Sequence, residues 1–164
     1  MNYAKIEKFD VTNLSGISVS IFLCGCTHKC KNCFNSEIWS FTSGKPFDEE
    51  AKKELFEYLS NPHIKGLSVL GGEPLQQGQE LVDLLKETKD NFPDKEIRLW
   101  TGYYIDGREP LDAIQKEILS LCDYVVDGRF EEDKKDLTLK FRGSSNQTIW
   151  ENRNGEFIRS KLND

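Results

Sequence analysis

Four of the five cysteines fall within ten consecutive residues, at positions 24, 26, 30 and 33, and the fifth is at 122. The informative run is Cys26-Thr27-His28-Lys29-Cys30-Lys31-Asn32-Cys33, a C-x3-C-x2-C spacing. A disulfide framework spreads its cysteines to close loops and belongs to an oxidising compartment. Clustering of this kind favours metal ligation or redox chemistry instead. A loop this short brings Cys26, Cys30 and Cys33 around one inorganic centre. Three thiolates leave a four-iron cluster with one iron lacking a protein ligand, and such an opening is what a catalytic site needs. The competing chemistry is a structural zinc site with Cys24, His28 or Cys122 as fourth ligand. Zinc ribbons usually take paired ligands from two separated turns, and no second C-x2-C or H-x3-H is present.

The elements that must carry this loop follow from periodicity. Ile17-Ser18-Val19-Ser20-Ile21-Phe22-Leu23 alternates apolar and polar residues and reads as a strand running into the cysteines. Asp48 is placed to cap a helix whose inner face is Ala51, Leu55, Tyr58 and Leu59. Gly66-Leu67-Ser68-Val69-Leu70 is a second strand, and Leu81, Leu84, Leu85 and Phe92 mark a second helix. Glu96-Ile97-Arg98-Leu99-Trp100 is a third strand. Pro110 is expected to open a third helix with Leu111, Ile114, Ile118 and Leu121 inward, before a fourth strand at Asp123-Tyr124-Val125-Val126. Leu137-Thr138-Leu139-Lys140-Phe141 reads as one further strand. Thr148-Ile149-Trp150 and Glu156-Phe157-Ile158 read as a terminal hairpin around Asn152-Arg153-Asn154-Gly155.

This βαβα order predicts an α/β fold with a mainly parallel sheet covered by helices. A closed eight-fold barrel takes about 250 residues, and the chain has 164. The expectation is therefore an open partial (β/α) barrel, with a curved sheet and a C-terminal hairpin or irregular tail, as a single domain over 1–164. Each strand ends in residues that do little for packing: the cysteine loop, Gly71-Gly72-Glu73-Pro74, Trp100-Thr101-Gly102-Tyr103 and Asp127-Gly128-Arg129. Parallel α/β sheets bind ligands at the carboxyl ends of their strands. The four turns are thus expected around one crevice. Adjacent glycines let backbone approach a ligand closely, and Glu73 supplies a carboxylate suited to an ammonium or hydroxyl.

The cysteine motif after the first strand and Gly-Gly-Glu-Pro after the second resemble the radical S-adenosylmethionine superfamily. Within it the chain is similar to the glycyl radical activases that serve anaerobic ribonucleoside-triphosphate reductase. That closer likeness runs through Gly25 to Cys30, Cys33-Phe34-Asn35, Ser43 to Phe47, Gly71 to Leu75, Leu99 to Tyr103, Val126 to Phe130 and Arg142-Gly143-Ser144-Ser145-Asn146-Gln147. Two departures stand out. The superfamily often places an aromatic residue just before the third cysteine, where this chain has Asn32 and puts Phe34 after it. Cys24 is an additional thiol.

The resemblance implies that Cys26, Cys30 and Cys33 hold a [4Fe-4S] cluster whose open iron is chelated by S-adenosylmethionine. Asn32, Cys33 and Phe34 then border the nucleoside, and Gly71, Gly72 and Glu73 bind the methionine ammonium. An electron from the cluster cleaves the sulfonium to methionine and a 5′-deoxyadenosyl radical, which generates a glycyl radical on the reductase. The implied partners are the large subunit of that reductase and an electron donor such as flavodoxin. No side chain needs to act as acid or base, so no catalytic residue of that type is assigned. A small radical enzyme of the deazapurine synthase kind, acting on a small molecule, and a zinc-binding interaction module are the alternatives.

Composition narrows the partners. Net charge is −6 with a pI near 5.1, against the basic patch that nucleic acid or an anionic membrane surface requires. The longest apolar run, Ile21-Phe22-Leu23-Cys24, is far short of a membrane span. With no secretory signal visible, the expectation is a cytoplasmic protein. Several residues carry a bland reading beside a sharper one. His28 is expected to shape the loop or hydrogen-bond within it, and Cys24 and Cys122 to be buried. Trp100 and Trp150 are expected to pack. Asp127 and Arg129 contact ligand or partner, or form a structural ion pair; Arg142–Gln147 is a tight loop or one facing a partner or cofactor.

Overall fold

A computed structural model describes residues 1–33 and 36–164. Strands β1 (Asn2–Asp10), β2 (Ile17–Leu23), β3 (Lys45–Pro46), β4 (Ile64–Gly71), β5 (Glu96–Trp100), β6 (Tyr124–Asp127), β7 (Thr148–Arg153) and β8 (Glu156–Arg159) form one mixed sheet. Its order is β3-β1-β2-β4-β5-β6-β7-β8. The pairs β2–β4, β4–β5 and β5–β6 are parallel, and the flanking pairs at both ends are antiparallel. The parallel centre is the part that positions the site, because its four carboxyl ends share one edge.

Helices α1 (Glu49–Leu59), α2 (Gln79–Asn91) and α3 (Ala113–Ser120) supply the crossovers. Leu55, Leu59, Leu81, Leu85 and Ile118 bury against alternate strand residues Val19, Ile21, Leu67, Val69, Ile97 and Leu99. Each fully buried leucine or isoleucine contributes about 1.5–3 kcal/mol by leaving water. The intervening strand residues are different in kind. Ser18, Ser20, Ser68 and Arg98 are buried, under the segment that joins β1 to β2. The Arg98 guanidinium donates to the carbonyls of Asn13 (2.7 Å) and Ser15 (2.6 Å). Ser20 bonds the carboxylate of Asp10, which also accepts from Thr12 and Asn13.

Three expectations need correction. The sheet begins at β1 rather than at Ile17. Register shifts between Tyr3 and Lys5 and between Glu7 and Asp10 break the two-residue period that would have marked this strand. Leu137–Phe141 is a turn, not a strand. Asp136 draws the amide (2.9 Å) and hydroxyl (2.6 Å) of Thr138 into a local turn, Phe141 has φ of +66°, and Leu137 is 83% exposed. Helix α3 starts at Ala113 instead of Pro110, since Asp112 and Gln115 form a reciprocal capping box. Its inner face is then Ile118 and Leu119, leaving Ile114 39% exposed. Among the described residues no helix is long and apolar enough to cross a membrane.

Candidate iron–sulfur site

The strand ends are drawn together by backbone contacts that only glycine permits. Gly71 has φ of +131°, and a β-carbon there would run into the carbonyl oxygen of Leu23. One at Gly72 would strike Gly25. The Gly72 amide donates to Leu23 (3.0 Å) and the Glu73 amide to Gly25 (2.7 Å). The adjacent glycines thus lock the end of β4 under the entrance to the cysteine loop. On the loop's other side, the amides of Gly25 and Cys26 donate to the carbonyls of Ile38 and Trp39 at 2.8 and 2.9 Å.

Cys26, Cys30 and Cys33 line one cavity of about 430 Å³ together with Gly71, Gly72 and Glu73. Trp100, Gly102, Gly128 and Arg129 close it from β5 and β6, and Arg142 and Gln147 from the later loop. Of the residues expected at the first two turns, Cys26, Cys30, Cys33, Gly71, Gly72 and Glu73 share this cavity, and Pro74 does not line it. Asn32 is not on the cavity wall; it is exposed, with φ of +55°, and turns the loop between the second and third cysteines. Phe34 lies outside the described residues. Thr12, Asn13 and Trp39 line the cavity without having been singled out, and no motif marks them.

The three cysteines are partly buried, and none is joined in a disulfide among the described residues. Burial pushes the Cys26 thiol up to about 11, with Glu73, Cys30 and Cys33 adding to the shift, while the amide of His28 bonding its sulfur opposes it. Burial also raises Cys30, followed by its neighbour Cys33. Cys26 and Cys30, whose ionisation is opposed by burial and by neighbouring thiols, belong to a donor set suited to a cationic centre, which stabilises thiolates. Among the described residues no three His, Cys, Asp or Glu side chains converge as a single-ion site requires. A cube ligated at separate corners spaces its sulfurs more widely than one zinc ion does. Cys24 is elsewhere: it is buried, and its sulfur is packed against Gly44. Cys122 is buried against α3, its Sγ reaching the carbonyl of Ile118 at 3.3 Å.

Around the loop runs a chain of charged groups. Glu73 is fully buried and accepts on both oxygens: from His28 Nε2 (2.8 Å) and the Gly102 amide (2.7 Å) on one, and from the Leu75 amide (2.9 Å) and Thr101 Oγ1 (2.7 Å) on the other. Arg129 donates Nε to His28 Nδ1 (3.3 Å) and forks onto Glu109 at 2.7 and 2.8 Å. The ion pair of the last turn is thus Arg129 with Glu109. Burial raises Asp127, whose carboxylate accepts from the Ile105 amide at 2.9 Å. Trp100 packs on the minor apolar cluster and donates to the carbonyl of Phe141 at 3.1 Å. Arg142–Gln147 is a tight loop, closed by Gln147 Oε1 on the amides of Gly143 and Ser144, and it also faces the cavity.

Residues 13–150 match the family described as a 4Fe-4S single cluster domain. The chain is 39% identical to the anaerobic ribonucleoside-triphosphate reductase-activating protein of Pasteurella multocida, over 92% of this chain and 97% of that one. It is 39% identical to the protein of the same name from Enterobacteria phage T4, over 94% and 97% of the two chains. The chain belongs to the reductase-activating protein family. For Escherichia coli K12 the identity is 36%, over 91% of this chain and 97% of the relative. Membership in this family, with its 4Fe-4S domain, sets an iron–sulfur cluster above the zinc alternative. The activating-protein relatives also match the chain nearly end to end, so the site and its supporting loops fall inside the shared region.

Proposed function

We propose that this chain activates an anaerobic ribonucleoside-triphosphate reductase by radical S-adenosylmethionine chemistry. The observation that carries the reading is the shared cavity: Cys26, Cys30 and Cys33 face the same space as the Gly71-Gly72-Glu73 turn. Those cysteines would hold a [4Fe-4S] cluster, and the cavity beside them would take S-adenosylmethionine, with Gly71 and Gly72 bordering its methionine end. When bound, the pair supplies reductive cleavage of the sulfonium to methionine and a 5′-deoxyadenosyl radical, which takes a hydrogen atom from a glycine Cα of the reductase. The chain's own work is to hold and shield. Its glycines fix the loop against β4, the cavity walls limit water, and no residue is asked to move a proton. In this reading the sheet is an open partial barrel whose uncovered side admits the partner's glycine-bearing segment. An electron donor of the flavodoxin class reduces the cluster.

Anaerobic reconstitution with iron and sulfide tests the first step, giving a brown protein that bleaches with dithionite; a colourless zinc protein overturns it. Adding S-adenosylmethionine and the reductase should then give a glycyl radical signal by electron paramagnetic resonance. Formation of 5′-deoxyadenosine that ignores the reductase, with no such signal, would point to a small-molecule substrate instead.

A further inference from the structure

His28, in the cysteine loop, is tied to two strand ends at once. It sits between Cys26 and Cys30, its ring is almost wholly buried, and it touches Glu73 through Nε2 and Arg129 through Nδ1. A guanidinium only donates, so Nδ1 accepts and the ring proton is on Nε2, donated to Glu73. The ring stands edge-on to Tyr103 with centroids 4.7 Å apart. Behind it, Glu109 holds Arg129 through two parallel bonds, the geometry that fixes a guanidinium most firmly.

Glu73 is the other half of the arrangement. A carboxylate offers about four acceptor positions, and His28, Gly102, Leu75 and Thr101 occupy them. An ammonium approaching Glu73 would have to displace one of these buried donors. Each displaced donor would be left without a partner, at about 1–3 kcal/mol.

We propose that His28 is a positioning residue and Glu73 its anchor: the carboxylate holds the cysteine loop in register with β4, β5 and β6, and is not itself a ligand of the methionine ammonium. Its binding arm rests on the function proposed above; its structural arm does not. Histidines and carboxylates that brace the ligands of a metal site from behind work in this way, and their loss typically costs about 10–100-fold in metal affinity or activity.

The test uses the full chain as wild type, His28→Ala and His28→Gln. The glutamine amide can still donate to Glu73 from nearly the position of Nε2. In cluster-free protein, amide hydrogen exchange across residues 26–33 and 101–103 should rise in His28→Ala and fall back in His28→Gln. In reconstituted protein, His28→Ala should bind S-adenosylmethionine about ten-fold more weakly. Its reduced-cluster resonance should be heterogeneous on adding the nucleotide, with His28→Gln restoring both. If Glu73 instead binds the ammonium, removing His28 frees a carboxylate oxygen. Unchanged or tighter binding by His28→Ala, or exchange no faster than wild type, would overturn the proposal. A wild-type protein that takes up no cluster fails the functional reading alone, because the exchange result stands without it.

Discussion

A β-carbon at Gly102 would lie 2.7 Å from Cδ2 of His28 and 3.3 Å from Oε1 of Glu73. Glycine is required there because an imidazole from a distant loop fills its side-chain space. The same residue gives its amide to Glu73 at 2.7 Å. Gly102→Ala should therefore push His28 off the carboxylate, at a cost of about 1–3 kcal/mol for forced overpacking. The expected result is a lower midpoint of chemical denaturation and reduced iron retention after gel filtration, with far-ultraviolet dichroism unchanged.

The position of this glycine was legible in the sequence, but its reason was not. Strand order alone brought Cys26, Gly71, Glu73, Gly102 and Arg129 to one edge, because parallel strands with helical crossovers leave little other choice. What the pattern could not reveal was which groups satisfy one another. Glu73 and His28 are 45 residues apart, and no local period links them. The flanking antiparallel strands were hard to read for a related reason: β1 is bulged and only half buried, so its face does not alternate cleanly. The turn at Leu137 erred the other way, since alternation suggested a strand and Asp136 overrode it by bonding Thr138.

Leu137 gives a direct check of that correction. At 83% exposure it has almost nothing to lose from a polar replacement. Leu137→Ser should change stability by no more than about 0.5 kcal/mol, measured by urea denaturation. A buried strand position would cost several times more.

Asp10 should govern the acid limb of stability. Burial acts to raise its pKa, but hydrogen bonds from Ser20, Thr12 and Asn13 outweigh it and leave the group below the ordinary value. A carboxyl whose folded pKa is depressed adds stability above its unfolded value, near pH ~3.9, and loses it as pH falls through the folded pKa. Asp10→Asn turns an amide N–H₂ toward donors already aimed at the carboxylate. Neutral-pH stability should drop by about 1–3 kcal/mol, and the slope of stability against pH below pH ~4 should flatten.

The five cysteines should separate cleanly by their surroundings. Cys26, Cys30 and Cys33 share the cavity, whereas Cys24 packs against Gly44 and Cys122 against α3. Replacing any of the first three by serine removes a thiolate from a set that has no spare, because Cys24 cannot swing into the cavity without vacating the space between β2 and the Ser43–Gly44 turn. Iron and sulfide content of reconstituted protein should fall sharply in each. Cys24→Ala and Cys122→Ala delete only a small buried side chain, so their thermal midpoints should drop by a few degrees while metal content and the reduced-cluster resonance match wild type. A Cys24 variant that loses its iron would instead make this thiol a ligand and overturn the division drawn from burial.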